Sequence, residues 1–267
     1  MKHILYWILK RLVIYSLAGY VIVCLAVTGC INQMMFHPQP TRLSWKDADV
    51  INIGTEQSPI SAVLKTNAAS KRVILFSYGN AEETGDVRDL LGEFANAGIS
   101  AMGYDYPGYG LTTGKPTEKG VYRTAEAAYR FLTETRHYKP EDIIVMGRSL
   151  GSGPTCYLAE KYPVGGLIVL SGFTSAPRVV TRVRVLPVDP FPNISRMRTI
   201  SCPKLFLHGT SDSVIPFSHG EALYARASAP KQKLWVEGAD HNDFIFVMGE
   251  QRFIQAIVDF CGGLEGK

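Results

Sequence analysis

The chain of 267 residues is 46% hydrophobic and 19% charged, with 25 Gly and 15 Pro, which is the composition of a folded globular protein and excludes disordered, collagen-like and repeat-array classes. Its length suits a single α/β domain of about 250 residues. The formal charge is +4, but Lys2, Lys10 and Arg11 stand in the first 29 residues, which hold no acid; the remainder carries 25 cations against 24 anions and lacks the basic surplus that a nucleic-acid backbone demands.

Positions 12–30 contain no charged residue after this basic start, the pattern of a secretory or membrane-inserting segment. The run exceeds the roughly 7 to 15 apolar residues of a cleavable signal and is long enough for a helix across a hydrocarbon core of about 30 Å. Val27-Thr28-Gly29-Cys30 is similar to a bacterial lipobox, which makes Cys30 the expected lipidation site; an uncleaved signal anchor is the alternative. Positive charge ahead of the span keeps the N-terminus cytoplasmic, so either anchor leaves the body on the extracytoplasmic side of a bacterial cell envelope. The expected organisation is a signal peptide or anchor over 1–29, a tether over 30–45 and one domain over 46–267. Cleavage leaves Cys156, Cys202 and Cys261, an odd set without paired spacing, so neither a disulfide framework nor a zinc site is expected.

Beyond Pro38 and Pro40, β-prone stretches at 50–53 and 60–64 predict two leading strands. Short runs rich in Val, Ile, Leu and Phe follow at 72–77, 99–104, 143–146, 167–170, 204–207 and 233–236, as expected of parallel strands buried on both faces. Between them Val121, Ala125, Ala128, Tyr129 and Leu132 recur at helical spacing, and further helices are predicted over 86–97, 153–161, 218–227 and 250–260. Alternation of this kind predicts an α/β fold with a mostly parallel central sheet and helices on both faces. Residues 172–201 break the beat, punctuated by Pro177, Pro187, Pro190 and Pro192, and predict a short irregular cover over the active site. Five Arg against one Asp between positions 178 and 198 form a basic stretch, either solvated surface or a contact for anionic lipid.

The motif with chemical content is Gly147-Arg148-Ser149-Leu150-Gly151, a G-x-S-x-G match at the end of a strand and the start of a helix. Such a turn crowds the serine backbone against strand and helix, and glycine two residues to either side removes the Cβ atoms that would collide. A neutral serine hydroxyl is a poor nucleophile and needs a base. His241, after the last predicted strand, is the candidate, and Asp212, in His208-Gly209-Thr210-Ser211-Asp212, is the acid expected to fix its tautomer; Asp240 and Asp243 adjoin the histidine, but neighbouring side chains usually diverge. His208 is expected to be structural. The order Ser, Asp, His is that of the α/β-hydrolases. Negative charge developing on the substrate oxygen requires main-chain donors, expected from Leu150 and from Asn80 in Tyr78-Gly79-Asn80-Ala81.

With these residues in place, the body resembles the α/β-hydrolase superfamily, and more narrowly the Bem46-like and ABHD17-like membrane-associated serine hydrolases. The resemblance is carried by the 78–81 turn, Tyr104-Asp105-Tyr106-Pro107-Gly108-Tyr109-Gly110, Gly114-Lys115-Pro116-Thr117-Glu118, the elbow around Ser149, Pro187-Val188-Asp189-Pro190-Phe191, the Asp212 segment and His241-Asn242-Asp243. It implies hydrolysis of a carboxylic ester or thioester, small-molecule or lipid, through an acyl-enzyme and with no cofactor or metal. Where the family has His before the oxyanion-loop glycine, this chain has Tyr78, whose hydroxyl must then anchor the loop. The alternatives are a peptidase or aminoacyl hydrolase on the same triad, and a non-catalytic binding module on a hydrolase fold.

Overall fold

The computed structural model describes residues 2–182 and 188–264; Arg184 and Pro187 lie outside the described residues. Among these, eight strands form one sheet: β1 (Val50–Asn52), β2 (Ser61–Lys65), β3 (Val73–Ser77), β4 (Ser100–Tyr104), β5 (Ile143–Arg148), β6 (Gly166–Leu170), β7 (Lys204–Gly209) and β8 (Lys231–Val236). Their spatial order is β1-β2-β4-β3-β5-β6-β7-β8. The β1/β2 and β2/β4 pairs are antiparallel and every other pair is parallel. Every residue of β3, β4 and β6 is buried, the mark of strands covered on both faces. Edge strand β8 instead carries Lys231 and Lys233, charges that discourage pairing with another chain.

The helices are α1 (Lys2–Met35), α2 (Arg88–Asn96), α3 (Glu118–Arg130), α4 (Ser152–Lys161), α5 (Ala176–Thr181), α6 (Asn193–Arg196), α7 (Ser218–Arg226), α8 (Phe244–Met248) and α9 (Glu250–Gly262). Contacts of α2 with α9, and of α4 with α3 and α6, group them into two layers around the sheet. Helix α3 shows how local sequence sets an element: Thr117 Oγ1 accepts the Gly120 N–H at 3.0 Å as an N-cap, and Val121, Ala125, Ala128 and Tyr129 bury the predicted stripe. Because β3, β5, β7 and β8 run parallel, the loops after Ser77, Arg148, Gly209 and Val236 emerge at one sheet edge, where α/β folds place their ligand crevices.

Two segments make contacts that the sequence does not announce. Helix α1 runs to Met35, which packs against the domain core, and the chain after it continues that packing through the buried Phe36 and Leu43. The 172–201 stretch contains α5 and α6, and part of it is rooted in the core. Phe191 is fully buried, edge-on to Tyr122 and Phe173, and Asn193 Nδ2 donates to Phe173 O at 3.1 Å and Ser152 Oγ at 3.2 Å. Of the basic stretch, Arg178 pairs with Asp189 at 2.6 Å, and Arg196 pairs with Glu160 at 3.0 Å and lies over the Tyr122 and Tyr157 rings. Two of its charges are thus engaged within the molecule.

Candidate active site

Strand β5 ends in a turn that holds Ser149 at φ 52°, the left-handed region that a non-glycine residue occupies only under strain. One 3-10 turn, Ser149–Gly151, leads into α4, and Ser152 Oγ donates to the Ser149 carbonyl at 2.7 Å. A Cβ on Gly147 would stand 2.6 Å from Thr155 Oγ1, and one on Gly151 would stand 2.6 Å from the Tyr78 carbonyl oxygen and nearer still to that of Ser77. Both glycines therefore meet a steric need, and that at Gly151 ties the serine turn to the strand end that launches the 78–81 loop.

Ser149 Oγ lies 3.0 Å from His241 Nε2, and His241 Nδ1 lies 2.8 Å from Asp212 Oδ2. All three residues are buried. Burial alone would raise the Asp212 pKa, but hydrogen bonds from His208, His241 and the Ile215 amide outweigh it and hold the carboxyl well below the usual carboxylate range. An ionised Asp212 can only accept, so the imidazole proton sits on Nδ1 and Nε2 is free to take the hydroxyl proton. The other Asp212 oxygen accepts the Val214 and Ile215 amides at 3.1 and 2.7 Å. Asp240 serves differently: it accepts from Ser213 N at 2.7 Å and from His241 N, joining the Asp212 loop to the His241 loop. Buried His208 donates through Nε2 to Ile215 O at 2.8 Å and stands 3.3 Å from Asp212 Oδ2, where it helps to hold the carboxylate in place.

The loop after β3 approaches the serine closely enough that a Cβ on Gly79 would lie 3.5 Å from Ser149 Cβ. Gly79 N donates to Glu82 Oε2 at 2.6 Å, while Glu82 Oε1 pairs with Arg148 at 2.6 Å, which ties this loop to the elbow. Leu150, second in its 3-10 turn, has an N–H with no acceptor inside that turn. Tyr78 anchors the loop root: its hydroxyl donates to Asp105 Oδ1 at 2.9 Å and accepts the Tyr106 N–H at 3.1 Å. Asp105 also accepts from Ser61 Oγ, Thr84 N and Thr84 Oγ1; burial nonetheless pushes its pKa up.

The fold therefore brings Ser149, His241, Asp212, Leu150 and the Gly79-Asn80 turn to one edge. Cys30 is remote in sequence from this edge and exposed on α1. Arg148 and Glu82 are neighbours of the site that sequence reasoning did not single out, and Arg148 had a positional signal as the variable residue before the serine; His208, expected to be structural, stands beside Asp212.

Residues 68–190 match the family described as serine aminopeptidase, S33. The human α/β-hydrolase domain-containing protein 17B is 42% identical over 179 residues, which is 65% of this chain and 62% of that protein. The 17C protein of Xenopus tropicalis is 40% identical over 186 residues, 67% of this chain and 59% of that protein. The chain thus matches less than two thirds of the length of these curated relatives. A Pyrococcus furiosus esterase superposes with a TM-score of 0.71 at 19% identity, covering 86% of this chain and all of that one. A Thermogutta terrifontis esterase, solved phosphonylated by cyclosarin, gives 0.68 at 17%, covering 84% and 98%. Sequence shared with the first pair and fold shared with the second agree on one assignment: the chain belongs to the α/β-hydrolase superfamily, with the domain-containing 17 proteins as its homologues.

Proposed function

We propose that the protein is a membrane-tethered serine hydrolase that cleaves carboxylic esters or thioesters through an acyl-enzyme. The observation that carries this reading is the relay of Ser149, His241 and Asp212 at 3.0 and 2.8 Å, with the nucleophile on a strained turn. His241 Nε2 takes the Ser149 proton as Oγ attacks the acyl carbon. The Leu150 and Asn80 amides receive the oxyanion, and Asp212 stabilises the imidazolium. The imidazolium then protonates the departing alcohol or thiol. Water, activated by the same His241, releases the acid and restores the serine.

Helix α1 supports the tether, with 25 apolar-rich residues over His3–Val27, about 38 Å at 1.5 Å per residue against a hydrocarbon core of about 30 Å. The basic N-terminal flank supports an extracytoplasmic domain, and Cys30 is the proposed acylation site. Mass spectrometry of the mature N-terminus tests the anchor: a lipid mass on an N-terminal Cys30 supports it, and an intact Met1 with unmodified Cys30 leaves a plain signal anchor.

The matched family description favours a second reading, a peptidase or aminoacyl hydrolase on the same relay. Turnover of a chromogenic acyl-ester series against short peptide amides separates them. Efficient ester cleavage with negligible amide cleavage supports the first reading, and the reverse order supports the second.

A further inference from the structure

We infer that the stretch of chain just after the N-terminal helix is a working part of the active site: the His37 main-chain N–H and the Tyr109 hydroxyl hold the Asn80 side chain and thereby position the Asn80 amide. This rests on the triad reading above, with Asn80 as an oxyanion donor. The three groups form a closed triangle. His37 N lies 3.0 Å from Asn80 Oδ1 and 2.9 Å from the Tyr109 hydroxyl, which itself donates to Asn80 Oδ1 at 2.9 Å. The same Oδ1 accepts the Ala81 N–H at 3.0 Å, and Ala81 sits at φ 59°. One carboxamide oxygen therefore grips its own turn and is gripped from outside, so the peptide planes around Asn80 cannot rotate without breaking contacts to Tyr109 and to the tether.

The tether is fixed at both ends of this contact. Phe36 is buried edge-on to Phe191, 6.2 Å between ring centroids. Farther along, Thr41 Oγ1 and Arg42 N donate to the buried Glu83 carboxylate at 2.5 and 2.6 Å. Residues 36–43 are thus laced to the same 79–86 loop that approaches Ser149. Tyr109 belongs to the tyrosine-rich turn after β4, whose Gly108 and Gly110 take positive φ and place the ring, fully buried, beside Asn80. Its hydroxyl pKa is pushed up to about 12 by burial, so it remains a donor at any working pH. Tyr109 and the His37 amide are positioning groups: they act through Asn80 and touch no reacting atom.

The test uses the full-length protein in detergent micelles, with p-nitrophenyl butyrate turnover and inhibition by an alkyl boronic acid that forms a tetrahedral adduct on the serine. His37→Pro and His37→Ala both lose the imidazole but differ in the main-chain N–H, so their ratio isolates it. Tyr109→Phe removes one oxygen. Each loss should lower kcat about 3- to 10-fold, the worth of one net hydrogen bond, with KM little changed and boronate binding weakened by the same factor. In an Asn80→Ala background neither change should lower kcat further. Ratios within twofold of unity, while Ser149→Ala abolishes turnover, overturn the inference and leave the triad reading standing. Losses that persist undiminished in the Asn80→Ala background overturn it too, since they bypass Asn80. Undiminished turnover in Ser149→Ala overturns both readings together.

Discussion

Replacing Asp212 by Asn should cost about 10⁴-fold in kcat, or about 5.5 kcal/mol of transition-state stabilisation, while leaving the fold in place. One oxygen of the new amide keeps the Val214 and Ile215 N–H bonds. Its NH₂ then takes the place of Oδ2, 2.8 Å from His241 Nδ1. Two donors cannot share that bond, so the imidazole moves its proton to Nε2, where it points at Ser149 Oγ and leaves no base. The same NH₂ also faces His208 Nε2 at 3.3 Å, which already donates to Ile215 O, so a modest stability loss of about 1 to 3 kcal/mol accompanies the change. Steady-state ester hydrolysis at neutral pH, with circular dichroism and a melting curve to establish the fold, measures both effects. A folded Asp212→Asn protein retaining a tenth or more of wild-type kcat would refute the assigned role of this carboxylate.

Three further outcomes follow from particular contacts. Gly151→Ala puts a methyl against the Ser77 and Tyr78 carbonyls and should lower stability by about 1 to 3 kcal/mol as the elbow shifts; ester turnover should fall with it, and a wild-type kcat would show that the close approach is dispensable. Tyr78→Phe leaves the buried Tyr106 N–H without its acceptor and takes one donor from Asp105, a loss of about 2 to 3 kcal/mol and hence roughly 4 to 12 °C in Tm by calorimetry. His219 is buried, its Nδ1 facing Thr174 N and Oγ1, and burial followed by the charges of His208 and Arg182 lowers its pKa from 6.5 to about 4. Above pH 6.5 it adds no pH dependence. As the pH falls from 6.5 to 4 the unfolded chain binds a proton that the folded one refuses, so stability drops by at most about 3 kcal/mol. Urea midpoints should decline over that window, and a His219→Gln protein with the same decline would contradict this assignment.

Much of this architecture is legible in residue order because buried parallel strands are spelled as apolar runs. Strands β3, β4 and β6 begin and end within a residue of their predicted bounds. The elbow was also readable, since its glycines answer a collision that any serine on that turn would face. What escaped was contact between segments distant in sequence. Nothing in a Phe followed by Pro-rich chain announces that Phe36 is buried against Phe191, or that the His37 amide meets Asn80. The Glu82 and Arg148 pair is equally silent, because a charge partner 66 residues away leaves no periodicity. The 172–201 stretch looked irregular for a related reason: Phe191 and Asn193 are fixed by tertiary packing and side-chain hydrogen bonds, not by a repeating pattern.

The central claim is a serine hydroxyl made nucleophilic by His241, and covalent capture tests it most directly. A fluorophosphonate should add a single phosphonyl group that peptide mass spectrometry maps to Ser149, with labelling slowed at least a hundredfold in His241→Ala, the expected order for loss of a general base. Labelling of another residue, or of Ser149 at an unchanged rate without His241, would contradict the account.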